Sequence, residues 1–131
     1  MSKLQIIVGS TRETRAADRV LPWVTARATA HPDFDAEVID LRTLLPLDSE
    51  TILASVRKTN KLLVVHEDTR TGGIAGEIAA LVFEGAFEDL DGPVARVTAL
   101  DTPVPYSPPL EERFLPNTEK VVAAARELAK Y

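Results

Sequence analysis

Short apolar runs at 4–8, 37–41, 61–66 and 95–100 alternate with longer amphipathic stretches at about 16–30, 48–58, 73–88 and 117–130. No other feature constrains the fold as strongly. Each short run is rich in Val, Ile or Leu, as strands are, and the stretches between them have the length and pattern of helices. Strand and helix in strict alternation imply a parallel sheet with helices on both faces. Right-handed crossovers then give a three-layer α/β/α, doubly wound parallel sheet, most simply in the order 2-1-3-4. With 131 residues the chain has room for a single α/β domain with a real core, 1–131.

Helix signals sharpen the pattern. Asp48 is placed to cap the second helix, and Pro46 fits its approach turn. Asn117 is placed to cap the last helix, with Glu119 in its first turn and Lys130 in its last, as the macrodipole prefers. Pro22 lies inside the first helix candidate and predicts a late start or a kink near Asp18. Segment 101–116 holds Pro103, Pro105, Pro108, Pro109 and Pro116 and reads as a long irregular connection.

Composition excludes whole classes of function. A net charge of −5 repels phosphate and argues against nucleic acid as a partner. The absence of cysteine removes disulfides, thiol catalysis and cysteine metal sites, and the two histidines, His31 and His66, are too few for a histidine-rich metal site. No apolar run approaches the roughly 18 residues of a membrane span, and Met1-Ser2-Lys3-Leu4 has no signal-peptide pattern, so a cytoplasmic protein is expected.

The strongest candidate site follows the first strand. Leu4, Ile6, Ile7 and Val8 lead into Gly9-Ser10-Thr11-Arg12-Glu13-Thr14-Arg15, a loop with a glycine, three hydroxyls and two guanidiniums ahead of a helix. Hydroxyls and backbone N–H groups at the positive end of a helix, with arginine as a forked donor, make an anion site. The same residues also suit a capped turn with surface arginines. Gly9, Ser10, Thr11, Arg12 and Arg15 are the candidate ligands of a phosphate or sulfate.

Two family resemblances attach to different parts of the chain. Val38-Ile39-Asp40-Leu41-Arg42-Thr43-Leu44, Pro46-Leu47-Asp48, Ser55-Val56-Arg57-Lys58-Thr59, Val64-Val65-His66-Glu67, Thr71-Gly72-Gly73 and Asp101-Thr102-Pro103-Val104-Pro105-Tyr106 resemble the transketolase-type C-terminal domain of the beta subunit of 2-oxo acid dehydrogenases, the pyruvate and branched-chain complexes. That resemblance starts at about Glu37. Leu4 to Val8 with Gly9-Ser10-Thr11-Arg12 and Arg15 resembles the opening of NADPH-dependent FMN reductases, which are flavodoxin-like. Residues 1–42 then read as a flavodoxin-like fragment and 43–131 as a transketolase C-terminal-like fragment, with a junction near 37–43. Together they imply an engineered chimera, a hybrid of the two folds.

The resemblances carry opposite functional implications. In the reductases the first loop holds the flavin phosphate, so Gly9, Ser10, Thr11, Arg12 and Arg15 are expected to bind FMN by its phosphate. The Pro-Glu-Tyr-Asn loop that holds the flavin ring there has no counterpart after the third strand here, where His66-Glu67-Asp68-Thr69-Arg70 stands instead. No cofactor is therefore required, and no catalytic or metal residues are assigned. In the dehydrogenases this domain serves subunit assembly and docking to the acyltransferase core, while the thiamine-diphosphate site is built mostly elsewhere.

Other motifs read as structural. Thr71-Gly72-Gly73-Ile74-Ala75-Gly76 is a weak phosphate-cradle pattern and a better match to tight turning and close helix packing. His66 with Glu67 could form an acid–base couple, but a satisfied strand-end histidine is expected. Trp23, and Phe83 with Phe87, read as core or interface. Ser10 has no candidate histidine base, which disfavours a serine hydrolase. Three functions are therefore in competition: a catalytically silent scaffold with an FMN-phosphate or anion loop, an FMN-binding NADPH-dependent reductase, and a subunit-assembly module. A monomer or weak homodimer is expected, with former interface faces exposed.

Overall fold

Strand β1, Ser2–Val8, pairs in parallel with β2, Phe34–Asp40, from Ser2 opposite Phe34 to Val8 opposite Asp40. The computed structural model describes residues 2–8, 22, 25, 26, 29, 30 and 34–131. The chain divides into two compact units, Met1–Thr59 and Asn60–Tyr131. In the first helix candidate, Pro22, Thr25, Ala26 and Thr29 are helical, and the Ala30 N–H donates to Ala26 O at 3.2 Å. Asp18, Trp23 and His31 lie outside the described residues. Strand β2 begins at Phe34, earlier than the apolar run at 37, because its pairing with β1 extends the strand beyond what hydropathy marks.

Past β2 the chain turns at Arg42 (φ 61°), whose N–H donates to Asp40 Oδ1 at 3.2 Å while its Nε lies 3.4 Å from Asp40 Oδ2. Helix α1, Ser49–Thr59, starts where Asp48 was expected to cap it. The Asp48 carboxylate accepts from the Thr51 N–H (3.1 Å) and hydroxyl (2.7 Å), so an otherwise orphaned helix donor is satisfied. Those two bonds hold the Asp48 carboxyl below its usual range. Ile52, Ser55 and Val56 are buried at helical spacing, and α1 packs on β1. Asn60 (φ 61°) ends the helix in the left-handed conformation that asparagine tolerates.

In the second unit β3, Leu63–Thr69, pairs in parallel with β4, Ala95–Ala99. The described strands thus form two two-stranded parallel sheets, β1–β2 and β3–β4, in place of the single four-stranded sheet expected in the order 2-1-3-4. Register runs evenly from Leu63 opposite Ala95 to Val65 opposite Val97, then jumps to Thr69 opposite Ala99. Four steps along β3 match two along β4, so His66, Glu67 and Asp68 bulge out of the ladder. Expected to end at His66, β3 instead continues through this polar bulge to Thr69.

Helix α2, Ile74–Ala86, packs on β3 and runs into a 3₁₀ turn, Phe87–Asp89. Helix α4, Thr118–Leu128, packs on both β3 and β4. Asn117 caps α4 as expected, accepting from the Lys120 N–H at 3.0 Å. The segment 101–116 is not wholly irregular: helix α3, Pro108–Phe114, forms within it. Proline fits a helix's first turn because its missing N–H would have no partner there, and buried Phe114 anchors the far end. Lys120 Nζ then donates to Arg113 O (2.6 Å) and Leu115 O (2.8 Å), satisfying carbonyls at the α3 terminus. Val64, Ala75, Val82, Ala86, Val97, Ala99 and Leu128 are the buried apolar residues between these layers. Among the described residues no helix is long and apolar enough to cross a membrane.

Candidate functional site

The carboxyl ends of parallel strands are where open α/β sheets place ligand sites. In the second unit that edge is built by the loop after β3 and the loop after β4. Asp101 joins them: its carboxylate accepts from the Thr71 N–H (2.9 Å) and the Thr71 hydroxyl (2.7 Å). The Thr71 backbone bond, then its hydroxyl, hold the Asp101 carboxyl below its ordinary range, with smaller help from Arg70. Gly72 sits at φ 79°, a conformation that glycine adopts without strain. Gly73 lies flat against the sheet: a Cβ there would stand 2.4 Å from Thr69 O and 2.6 Å from His66 Cε1. Both glycines are therefore turn and packing residues, as expected.

An open cleft borders this edge, lined by Arg70, Thr71, Gly76, Glu77 and Arg96. Arg96 Nη1 donates to Arg70 O at 3.5 Å, and Arg70 lies close enough to favour the charged form of Asp101. Glu77 lines the same cleft and Asp101 lies near Arg70, and this negative charge weakens any pull on an anion. The acid–base reading of His66 and Glu67 finds no support. His66 Nδ1 accepts from the Asp68 N–H at 3.1 Å, and Nε2 is buried without a hydrogen-bond partner among the described residues. The buried Nε2 is closed to a substrate, and Nδ1 is already occupied by the Asp68 N–H. The histidine expected to be fully satisfied is satisfied on one side only.

A second cleft, of about 900 Å³, opens beside the end of α2 and is mainly apolar. Phe83 and Phe87 pack in a tilted arrangement, with ring centroids 4.7 Å apart and planes at 53°, yet they are 60 % and 57 % exposed. They are an outward-facing aromatic pair, so of the two expectations, core or interface, the structure supports a surface role. Leu90, Pro93 and Tyr131 continue the wall, and Tyr131 packs so closely on Gly92 that a Cβ there would lie 3.0 Å from its ring root. Glu84, Glu88 and Asp91 form an acidic rim. The rim loop is fixed in place: Asp91 N–H donates to Asn60 O (2.9 Å), Asn60 Nδ2 donates to Asp89 O (2.8 Å), and Lys61 Nζ stands 3.8 Å from Asp91 Oδ2.

The candidate anion ligands Gly9, Ser10, Thr11, Arg12 and Arg15 all lie outside the described residues. Among the described residues no three His, Asp or Glu side chains are grouped to hold a metal. Sequence reasoning missed the Thr71–Asp101 clamp and the acidic rim. The signals were the Asp-Thr-Pro following β4, and Glu84, Glu88 and Asp91 interleaved with Phe83, Phe87 and Leu90.

A parallel β–α–β unit with glycine-tight loops at its strand ends defines the second unit as an α/β fold. Residues 23–121 match the family described as transketolase, C-terminal domain, and the chain belongs to that family. It is similar to the 2-oxoisovalerate dehydrogenase subunit beta of Bacillus subtilis, 47% identical over 97 residues, covering 73% of this chain and 30% of the relative. It is similar also to the mitochondrial pyruvate dehydrogenase E1 component subunit beta of Dictyostelium discoideum, 43% identical over 105 residues, covering 80% and 30%. The chain thus spans about 30% of the length of these relatives. A split-gene transketolase solved as an inactive beta4 tetramer superposes with a TM-score of 0.64 at 24% identity, covering 98% of this chain and 39% of that one, a likeness of fold. The family match begins at residue 23, ahead of the Glu37 at which the dehydrogenase text was expected to start. Nothing in these comparisons supports a separate flavodoxin-like origin for residues 1–42 or a junction near 37–43.

Proposed function

We propose that the chain is a non-catalytic subunit-assembly module of the kind found at the end of 2-oxo acid dehydrogenase beta subunits. The observation that carries this reading is the acid-rimmed aromatic cleft. Two neighbouring phenylalanines more than half exposed are costly in water, at roughly 25 cal/mol per Å² of apolar surface, and a partner that covers them recovers that free energy. The rim of Glu84, Glu88 and Asp91 selects what can cover it: a segment with apolar anchors flanked by Lys or Arg. Calorimetric titration of the full chain with a synthetic lysine-rich amphipathic helix tests this. Binding that weakens with salt, and is lost in Phe83→Ser/Phe87→Ser and in Glu84→Lys/Glu88→Lys, is the expected result. Equal binding by both variants would remove the cleft from the account.

The sequence Gly9-Ser10-Thr11-Arg12 with Arg15 motivates a second reading, in which these residues take up FMN by its phosphate. Flavin-fluorescence titration with riboflavin as the phosphate-free control separates the two. FMN binding that is lost in Arg12→Ala/Arg15→Ala supports the loop; binding that survives that pair places the flavin elsewhere.

A further inference from the structure

We infer that His66 is a proton-operated latch on the loop between β3 and α2. The bulge at His66, Glu67 and Asp68 takes backbone donors out of the β3–β4 ladder, and two of the donors freed there bond to side chains of the segment itself. Thr69 N–H goes to Asp68 Oδ1 at 2.7 Å, and Asp68 N–H goes to His66 Nδ1 at 3.1 Å. A ring nitrogen that accepts carries no proton, so the neutral imidazole holds its single proton on Nε2. That Nε2–H is buried, with no acceptor among the described residues, and the ring lies against Gly73 at the start of α2. The bulge geometry therefore belongs to the neutral form. Protonating Nδ1 turns the acceptor into a donor facing the Asp68 N–H, and adds a charge beside an N–H that already lacks a partner. The ring must then leave its place against Gly73, releasing the 66–73 segment.

Charged groups on every element packed around β3 bear on this. Glu67 and Asp68 are on β3 itself, Arg70 is on the loop, Glu77 and Glu84 are on α2, and Arg96 is on β4. Helix α4 brings Glu119, Lys120, Arg126 and Glu127. Lys120 is engaged by Arg113 O and Leu115 O, and Arg96 by Arg70 O. Among the described residues the imidazole's one hydrogen bond is the one from the Asp68 backbone. The carboxylates of Glu67 and Asp68 give a released imidazolium somewhere to go.

Two measurements on the full chain test the latch. Long-range ¹H–¹⁵N correlation of the His66 ring at neutral pH should show the Nε2–H tautomer; an Nδ1–H tautomer overturns the inference outright. Hydrogen exchange at the Asp68 amide, corrected for intrinsic rate, should lose protection about three- to tenfold as the pH is lowered and the imidazole becomes protonated, the worth of one hydrogen bond. In His66→Asn the shorter side chain can still accept from the N–H two residues on but does not titrate, so protection should be flat with pH. A wild-type profile that is already flat, or an equal loss in His66→Asn, overturns the latch. The tautomer measurement decides on the wild-type chain alone if that variant does not fold.

Discussion

Alanine at Gly73 and at Gly76 should change stability in opposite directions, although the two residues stand three apart in one glycine-rich segment. Gly73 has an ordinary extended backbone (φ −75°, ψ 159°), so alanine meets no conformational penalty there. The cost is steric. The new Cβ would stand 2.4 Å from Thr69 O and 2.6 Å from His66 Cε1, where ordinary contacts begin near 3.4 Å. The histidine ring can shift, but the carbonyl belongs to the end of β3 and moves only with the strand. Overpacking of this kind costs about 1–3 kcal/mol, and a backbone contact places Gly73→Ala toward the upper end. Gly76 lies in the first turn of α2, and its nearest neighbour to a new Cβ is Arg96 Nη1 at 4.0 Å, an ordinary contact. There alanine gains about 0.5–1 kcal/mol by removing glycine's excess freedom in the unfolded chain. Equilibrium urea denaturation of the full chain should therefore separate the two variants by about 2–4 kcal/mol, wild type between them. A Gly73→Ala variant as stable as wild type would refute the close-packed reading of the loop. A destabilised Gly76→Ala would show that Gly76 has a role its open surroundings do not suggest.

Removing the Asn117 cap bond to the Lys120 N–H in Asn117→Ala should cost about 1 kcal/mol by the same denaturation measurement, and Asn117→Asp should restore most of it. The Asp101 carboxyl is held low by Thr71, so its folded-state contribution is present above the ordinary carboxylate range and is lost as pH falls through the depressed value. Acid unfolding followed by circular dichroism should thus be shallower below about pH 4 in Asp101→Asn than in wild type. Phe83→Ser removes a side chain that is more than half exposed, so it should raise solubility at neutral pH while changing the urea midpoint little. A large fall in that midpoint would mean Phe83 supports the core after all.

The alternation of apolar runs was enough to find every described strand and the helices beginning at 49, 74 and 118, because burial against a sheet imposes that pattern. The caps Asp48 and Asn117 were legible for a local reason: each bonds a backbone donor three residues away. The continuation of β3 through His66-Glu67-Asp68-Thr69 was not, since a polar bulge is specified by its partner strand and not by its own hydropathy. Helix α3 was hidden by its prolines, which read as loop until Phe114 and Lys120 show what holds the segment. The Thr71–Asp101 clamp joins residues thirty apart, and no local pattern marks such a pair. Phe83 and Phe87 were visible as a helical pair, but the side they face depends on packing. The loop at 9–15 was the most conspicuous motif in the sequence, and it falls outside the described residues.

Amide chemical-shift mapping of the full chain with the lysine-rich amphipathic helix tests the assembly reading most directly. Shifts should concentrate at Phe83, Phe87, Leu90, Gly92 and Tyr131, growing with peptide and shrinking with salt. Shifts concentrated instead at Arg70, Gly76 and Arg96, or no shifts at peptide concentrations up to about 1 mM, would contradict it.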